Sequence, residues 1–339
     1  MKLLKTMALA AALSATALML SAPVLHAEDP GPAAYSAALT GKRVIMVPMA
    51  MGFDLAQGWN AYVGGEVTAF GGIWETRDPN WSVEAGAQAL TEAISSDPKP
   101  DVLLVMSPDL NSYSKIMKKA QDAGIKVVLI DNPANFAADA YVGADWDVLG
   151  QKEAEAVIAG CGEGSSKKIG LVQGDQVNAT SLYQYAGIMK VLEKHPDFTV
   201  VAKPDSNWDA TTARNVTTTM LQQNPDICGI IDFWDGNATG TAAAIRDAGL
   251  QDKVFLVTTG GGEKAACDAI ANGTYGAVVM TDVKGESGAI VATIKHLLQS
   301  GQPAGSASPY LYTLLKATTK ADLQPDTCWD LKALTAAAN

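Results

Sequence analysis

The chain has 339 residues, 48% of them hydrophobic, which is enough for a large core and for one to three domains. Its formal net charge of −11 argues against nucleic acid or anionic lipid as a partner. The four cysteines form no C-x-x-C pair and only three histidines are present, so neither a zinc site nor any other metal or cofactor is expected.

The first 27 residues read as a targeting segment. Lys2 and Lys5 form a basic start, Met7 to Leu20 an apolar Ala/Leu-rich run, and "VLHA" offers Ala27 for cleavage before Glu28. The apolar run is shorter than the ~20 residues of a membrane span. No Cys follows it, so no lipid anchor is expected. Cleavage would remove two lysines and no acid, taking the net charge from −11 to −13. A secreted, periplasmic protein is expected.

From residue 42, short apolar runs alternate with amphipathic stretches. Strands are expected at 43–49, 72–76, 101–106, 126–130, 168–173, 198–203, 227–233, 253–258 and 276–281. Helices are expected near 57–70, 82–96, 111–123, 147–159, 179–194, 210–223, 237–248, 263–272 and 285–299. Continuous apolar strands, each followed by a helix, imply parallel sheets covered on both faces. The pattern also repeats. "PDVLLVMSPD" from Pro100, with its helix ending "DAGIKVVLI", matches "PDICGIIDFW" from Pro225, with its helix ending "DAGLQDKVFLV". Asp101/Asp226, Asp122/Asp247 and Gly124/Gly249 keep one offset of 125 residues, and the glycine after each helix is a C-cap signal. Two similar doubly wound α/β domains in tandem follow, with a boundary near 141–150.

In an open α/β sheet, ligands bind beyond the carboxyl ends of the strands. Trp234 stands at such an end, fenced by Asp232 and Asp235, and Asp109, Asp131, Asn132, Gly260 to Gly262 and Asp282 stand at others. Phe53 and Trp208 lie in nearby loops. Carboxylates and amides beside aromatic faces suit a sugar or polyol: the polar groups hydrogen-bond hydroxyls while an indole covers the C–H face. The plainer readings are that Trp234 is core and that Asp131 and Asp282 cap helices. No Ser/His/Asp order and no G-x-S-x-G motif is present, and His195 and His296 read as structural.

The phrases "VLLVMSPD", "GIKVVLIDNPA", "YVGADWDVLGQKEAEAVI", "QQNPDICGIIDFWDGNATGTAAAIRDAG" and "GEKAACDAIANGTYGAVVMTD" give the chain a resemblance, over about 42–300, to periplasmic sugar-binding proteins of ABC transporters. This is the ribose/galactose-binding type, with a type I fold shared by LacI-type repressor cores. The resemblance implies two doubly wound lobes joined by a three-crossover hinge, 42–144 with 283–308 and 145–282 with 309–339. It implies a monomer that captures a small neutral ligand between its lobes and delivers it to a membrane permease. Carried over position by position, it puts Phe53 and Asp54 after the first strand, Ser107 after the third, and Asp131 and Asn132 after the fourth. In the second lobe it puts Gln184 on the first helix, Trp208 and Trp234 after the second and third strands, and Asp282 after the fifth. Arginines of the family pattern are replaced by Asn132 and Gln184, and an aspartate by Gly260. The pocket should therefore be smaller or more aromatic than a ribose site, suiting a sugar alcohol, deoxy sugar, cyclitol or less hydroxylated carbonyl compound. A secreted carbohydrate-active enzyme, or a ligand receptor for a chemoreceptor or sensor kinase, is the alternative. An even cysteine count in an exported chain implies disulfides, as against four buried thiols. Cys161 and Cys228 flank strands that neighbour one another in doubly wound order, which favours Cys161–Cys228 and leaves Cys267–Cys328.

Overall fold

The structure, a computed structural model, describes residues 30–333; the targeting segment expected at 1–27 lies outside the described residues. Two six-stranded sheets organise it. The first contains β1 (Arg43–Val47), β2 (Ile73–Thr76), β3 (Val102–Val105), β4 (Lys126–Ile130), β5 (Ala140–Gly143) and β11 (Tyr310–Tyr312), in the order β11-β5-β4-β3-β1-β2. The second contains β6 (Lys168–Val172), β7 (Thr199–Ala202), β8 (Gly229–Asp232), β9 (Phe255–Gly260), β10 (Ala277–Thr281) and β12 (Leu315–Thr319), in the order β12-β10-β9-β8-β6-β7. Pairing is parallel throughout except for β12 on β10. The expected class, two doubly wound α/β units, is what the chain adopts.

The central strands are buried along their whole length, as strands covered on both faces must be. In the first lobe one face packs on α2 (Asp54–Ala69) and α10 (Val283–Gln299), with Trp59 fully buried, and the other on α3 (Val83–Ser95) and α4 (Ser114–Asp122). In the second lobe α5 (Trp146–Cys161) and α6 (Ala179–Leu192) cover one face. Helices α7 (Ala210–Gln223), α8 (Asp235–Asp247) and α9 (Lys264–Ala271) cover the other. The repeat seen at an offset of 125 falls on corresponding elements, β3–α4 and β8–α8. Gly124 and Gly249 end the two helices at φ +83° and +67°, conformations a side chain would strain.

The chain passes between sheets after Gly143, at Asp282, and between Tyr312 and Leu315. We propose lobes of 42–144 with 283–312 and 145–282 with 315–333. The sequence reading put the crossings at 144/145, 282/283 and 308/309; Tyr310–Tyr312 hydrogen-bonds in register with Tyr141–Gly143 of the first sheet, and for that reason the proposed first lobe runs on to 312. Two disulfides, Cys161–Cys228 and Cys267–Cys328, match the expected pairing, with Cα separations of 5.3 and 6.1 Å, inside the usual span. A further helix, α1 (Pro30–Ala37), was not anticipated. Its Tyr35 ring and the Phe70 ring sandwich the ammonium of Lys295, at 3.8 and 3.5 Å.

Candidate functional site

The carboxyl ends of both sheets' strands meet at a cavity of about 60 Å3 between the lobes. Phe53, from the turn between β1 and α2, and Trp81, between β2 and α3, come from the first lobe. Trp208, between β7 and α7, and Trp234, between β8 and α8, come from the second. The ring centroids of Phe53 and Trp81 are 5.5 Å apart, those of Phe53 and Trp234 5.8 Å, of Trp81 and Trp234 5.8 Å, and of Trp208 and Trp234 6.3 Å. The aromatic wall is thus continuous across the cleft.

Local backbone chemistry sets these rings. Asn80 and Trp81 have φ of +48° and +68°, and Asn207 and Trp208 have +52° and +59°. Left-handed non-glycine residues cost on the order of 1–3 kcal/mol each and persist where surrounding structure imposes them. Here the turns are pinned: Trp81 N donates to Met49 O (2.8 Å), and Ser206 N and Asn207 N donate to Gln173 O (2.8 Å) and Gly174 O (3.0 Å). Each turn ends in an N-cap, Ser82 accepting from Ala85 N at 3.1 Å and Asp209 from Thr212 N at 2.7 Å. Glycine makes room for both second-lobe indoles. A Cβ on Gly174 would lie 2.2 Å from the Trp208 ring, and one on Gly236 2.4 Å from Trp234.

The polar end of the cavity is Asp131, directly after β4. It is 3% exposed and sits at φ +58°. Its backbone carbonyl accepts from Tyr141 Oη (2.8 Å) and Trp146 Nε1 (2.7 Å), while its side-chain Oδ1 is buried with no partner. Burial pushes this carboxyl up to about 7. Asn132 beside it donates to Ser107 O at 2.8 Å. Asp232, at the end of β8, is also raised to about 7, by burial first and foremost. It accepts from Thr241 Oγ1 (2.5 Å) and Trp234 N (3.3 Å), and so holds the backbone that presents Trp234.

Of the residues singled out from sequence, Phe53, Asp131, Asn132, Trp208 and Trp234 line one cavity. Five do not line it. Ser107 Oγ donates to Asp109 O (2.7 Å), and the Asp109 carboxylate accepts from Asn111 N, Ser112 N and the Ser112 hydroxyl within its own loop. Gln184 is buried between α5 and α6, donating to Glu153 Oε2 at 2.8 Å. Asp282 caps α10, accepting from Gly285 N at 3.0 Å. Asp54 borders a separate hollow with Asp235 and Glu263, on the far side of Phe53 and Trp234, which line both spaces. There burial, and next the charge of Asp54, hold Asp235 well above the usual carboxylate range. Sequence reasoning missed Trp81 and Trp146, which also line the cavity. The signal for Trp81 was present: "PNWS" and "SNWD" place an Asn-Trp pair after the second strand of each lobe.

Among the described residues no group of three or more His, Cys, Asp and Glu is arranged to hold a metal, and no helix is long and apolar enough to cross a membrane. What the cavity offers is a largely aromatic wall, amide and hydroxyl side chains, a buried acceptor (Asp131 Oδ1) and a buried donor (Trp208 Nε1) without partners, and no lysine or arginine in its lining.

A family profile for a periplasmic binding protein domain matches residues 44–303. The chain is 32% identical over 163 residues to the D-allose-binding periplasmic protein of Escherichia coli, covering 45% of this chain and 52% of that protein. It is 27% identical over 201 residues to a D-apiose import binding protein of Actinobacillus succinogenes, 57% of this chain and 61% of the relative. The chain thus spans roughly half to three-fifths of the length of these curated relatives. A solved ABC transporter solute-binding protein from Mycobacterium smegmatis with bound glycerol superposes with a TM-score of 0.76 at 20% identity, over 85% of this chain and 99% of that one. At that identity the likeness speaks for the fold.

Proposed function

The chain belongs to the periplasmic binding protein family, and from that premise we propose that it is the substrate-binding component of an ABC-type importer. It takes a small neutral sugar, sugar alcohol or similar polyol into the interlobe cavity and delivers it to a membrane permease. It acts in the periplasm, without chemistry on the ligand. The observation that carries the reading is the lining: indoles from both lobes, one buried carboxylate oxygen without a partner, and no cationic side chain. Such a surface favours a neutral ligand with C–H faces and hydroxyl donors, and disfavours sugar acids and phosphates. Phe53, Asp131, Asn132, Trp208 and Trp234 are proposed as ligand contacts, joined by Trp81. The allose- and apiose-binding relatives support the class of ligand.

A thermal-shift screen of sugars, polyols and cyclitols tests this. A ligand at 100 times its Kd adds about 2.7 kcal/mol of stability. Stabilisation by a neutral polyhydroxylated compound, recovered unchanged after incubation, is the expected result. Stabilisation only by anions or cations, or conversion of the compound, would count against the reading.

A further inference from the structure

Two consecutive residues of the tail pack on different lobes. After β12 the tail runs along the second lobe, where Leu323 and Cys328 pack on the core and the Cys267–Cys328 disulfide fixes it to α9. The next residue, Trp329, packs on the core of the first lobe. Its ring centroid lies 6.5 Å from that of Tyr62 on α2, and a Cβ on Gly58, about one turn earlier, would lie 3.1 Å from the indole. Glycine weakens a helix interior; here it makes the room that the indole takes.

Trp329 also holds a wall of the interlobe cavity. Its Nε1 donates to Gly261 O at 2.7 Å and its backbone N to Gly262 O at 3.1 Å. Gly260 and Gly261 line the cavity, as does Leu55 of α2. A Cβ on Gly261 would lie 3.1 Å from Leu55 Cδ1, so the glycine loop of one lobe passes close against the other. Gly262 takes φ +72°, and Glu263 then caps α9, the helix that carries Cys267. Three successive glycines have the widest backbone freedom a chain offers. Two of their three carbonyls accept from Trp329.

We infer that Trp329 is a positioning residue for the ligand cavity. Tethered through Cys328, its indole N–H fixes the Gly260–Gly262 wall, and its ring seats that wall against α2 of the opposite lobe. This rests on the binding-protein reading above and gives the tail and its disulfide a part in affinity as well as in stability.

The test compares the wild-type protein with Trp329→Ala, Trp329→Phe and the joint change Cys267→Ser with Cys328→Ser. Calorimetric titration with D-allose, D-ribose, glycerol, erythritol and inositol, well below each melting temperature, reads affinity. Nitrogen-15 relaxation of the ligand-free proteins reads the wall. In Trp329→Ala, the compound that binds wild type should bind roughly tenfold more weakly, the scale of a lost hydrogen bond with its packing. Order parameters of the Gly260, Gly261 and Gly262 amides should fall, while those of β4 stay rigid. Trp329→Phe keeps a ring on Gly58 and Tyr62 but has no N–H to donate. It should recover the melting temperature and only part of the affinity. The cysteine variant should also bind more weakly than wild type. Equal affinity, or equal glycine order parameters, in Trp329→Ala would overturn the inference and leave the binding-protein reading standing. Full recovery of affinity in Trp329→Phe would overturn the role of the indole N–H, and wild-type affinity in the cysteine variant that of the tether. Wild-type protein that binds none of the five compounds would overturn the binding-protein reading and the inference with it.

Discussion

Trp208 and Trp234 reach the same space by different local devices, a left-handed turn in one case and an extended N-cap residue held by Asp232 in the other. Each indole lies on a glycine, so each is placed by backbone and not by loose packing. Trp208→Ala and Trp234→Ala should each weaken ligand binding by roughly 1–3 kcal/mol, the scale of a buried aromatic contact. Each variant should keep a cooperative melt; equal affinity in both by calorimetry would remove the aromatic wall from the site. Asp131 gives a pH signature. Its folded value of about 7 lies above the ordinary 3.8, so between those values the folded chain holds a proton that the unfolded chain has lost. Stability of the empty protein from this group is therefore intact at the acid end and declines as pH rises toward 7. Glu286 and Tyr141 face the same carboxyl. A ligand hydroxyl that donates to Asp131 favours its ionised form. Affinity should rise several-fold from pH 6 to pH 8 and become flat in Asp131→Asn, whose side chain also tolerates positive φ. The same slope in that variant would assign the titration elsewhere. That Asp131, Trp208 and Trp234 share one cavity was legible in the sequence because strand ends in doubly wound sheets converge. That Ser107, Asp109 and Gln184 lie outside its lining was not, because whether a polar side chain faces a cavity or its own neighbours depends on tertiary hydrogen bonds.

At the scale of elements, α10 begins at the second crossover, and Asp282 satisfies its first turn. Asparagine caps as well as aspartate, so Asp282→Asn should change neither melting temperature nor affinity. A large affinity loss in the folded variant would return Asp282 to the ligand contacts. The disulfides tie helices α5 and α9 to segments beside them. Cys161 closes α5 and Cys228 precedes β8, while Cys328 binds the tail to α9 through Cys267. Closing loops of 67 and 61 residues, each should contribute about 2–4 kcal/mol. Reduction should lower the melting temperature in stages if the two differ in exposure, and an unchanged melt after confirmed reduction would contradict that contribution. Every strand and helix expected between 42 and 300 is present. Strand β5 falls at the expected domain boundary near 141–150 and was not read as a strand, and β11 and β12 were not anticipated. Partners more than 30 residues distant, β5 for β11 and β10 for β12, make the last two short segments strands, and local pattern does not carry that information.

The whole molecule is built on two sheets of corresponding strand order that differ in the direction of their last strand, and the shared order of the other strands was legible from the alternation of elements and the 125-residue repeat. How the lobes communicate was not. Asp131 belongs to the first lobe, yet its carbonyl is held by Tyr141 and Trp146, at the first crossover. Glu286, buried on α10, accepts from Thr313 Oγ1 (3.4 Å) at the third. A ligand that engages Asp131 would therefore act on a residue already bonded to the first crossover. The most direct measurement is a crystal structure with the tightest-binding polyol from the screen. The account predicts the ligand between the lobes, a hydroxyl within hydrogen-bond distance of Asp131 Oδ1 and its carbon face on Trp81, Trp208 or Trp234. Ligand found instead in the hollow beside Asp54, Asp235 and Glu263, or on the outer surface of either lobe with Asp131 still unpartnered, would contradict it.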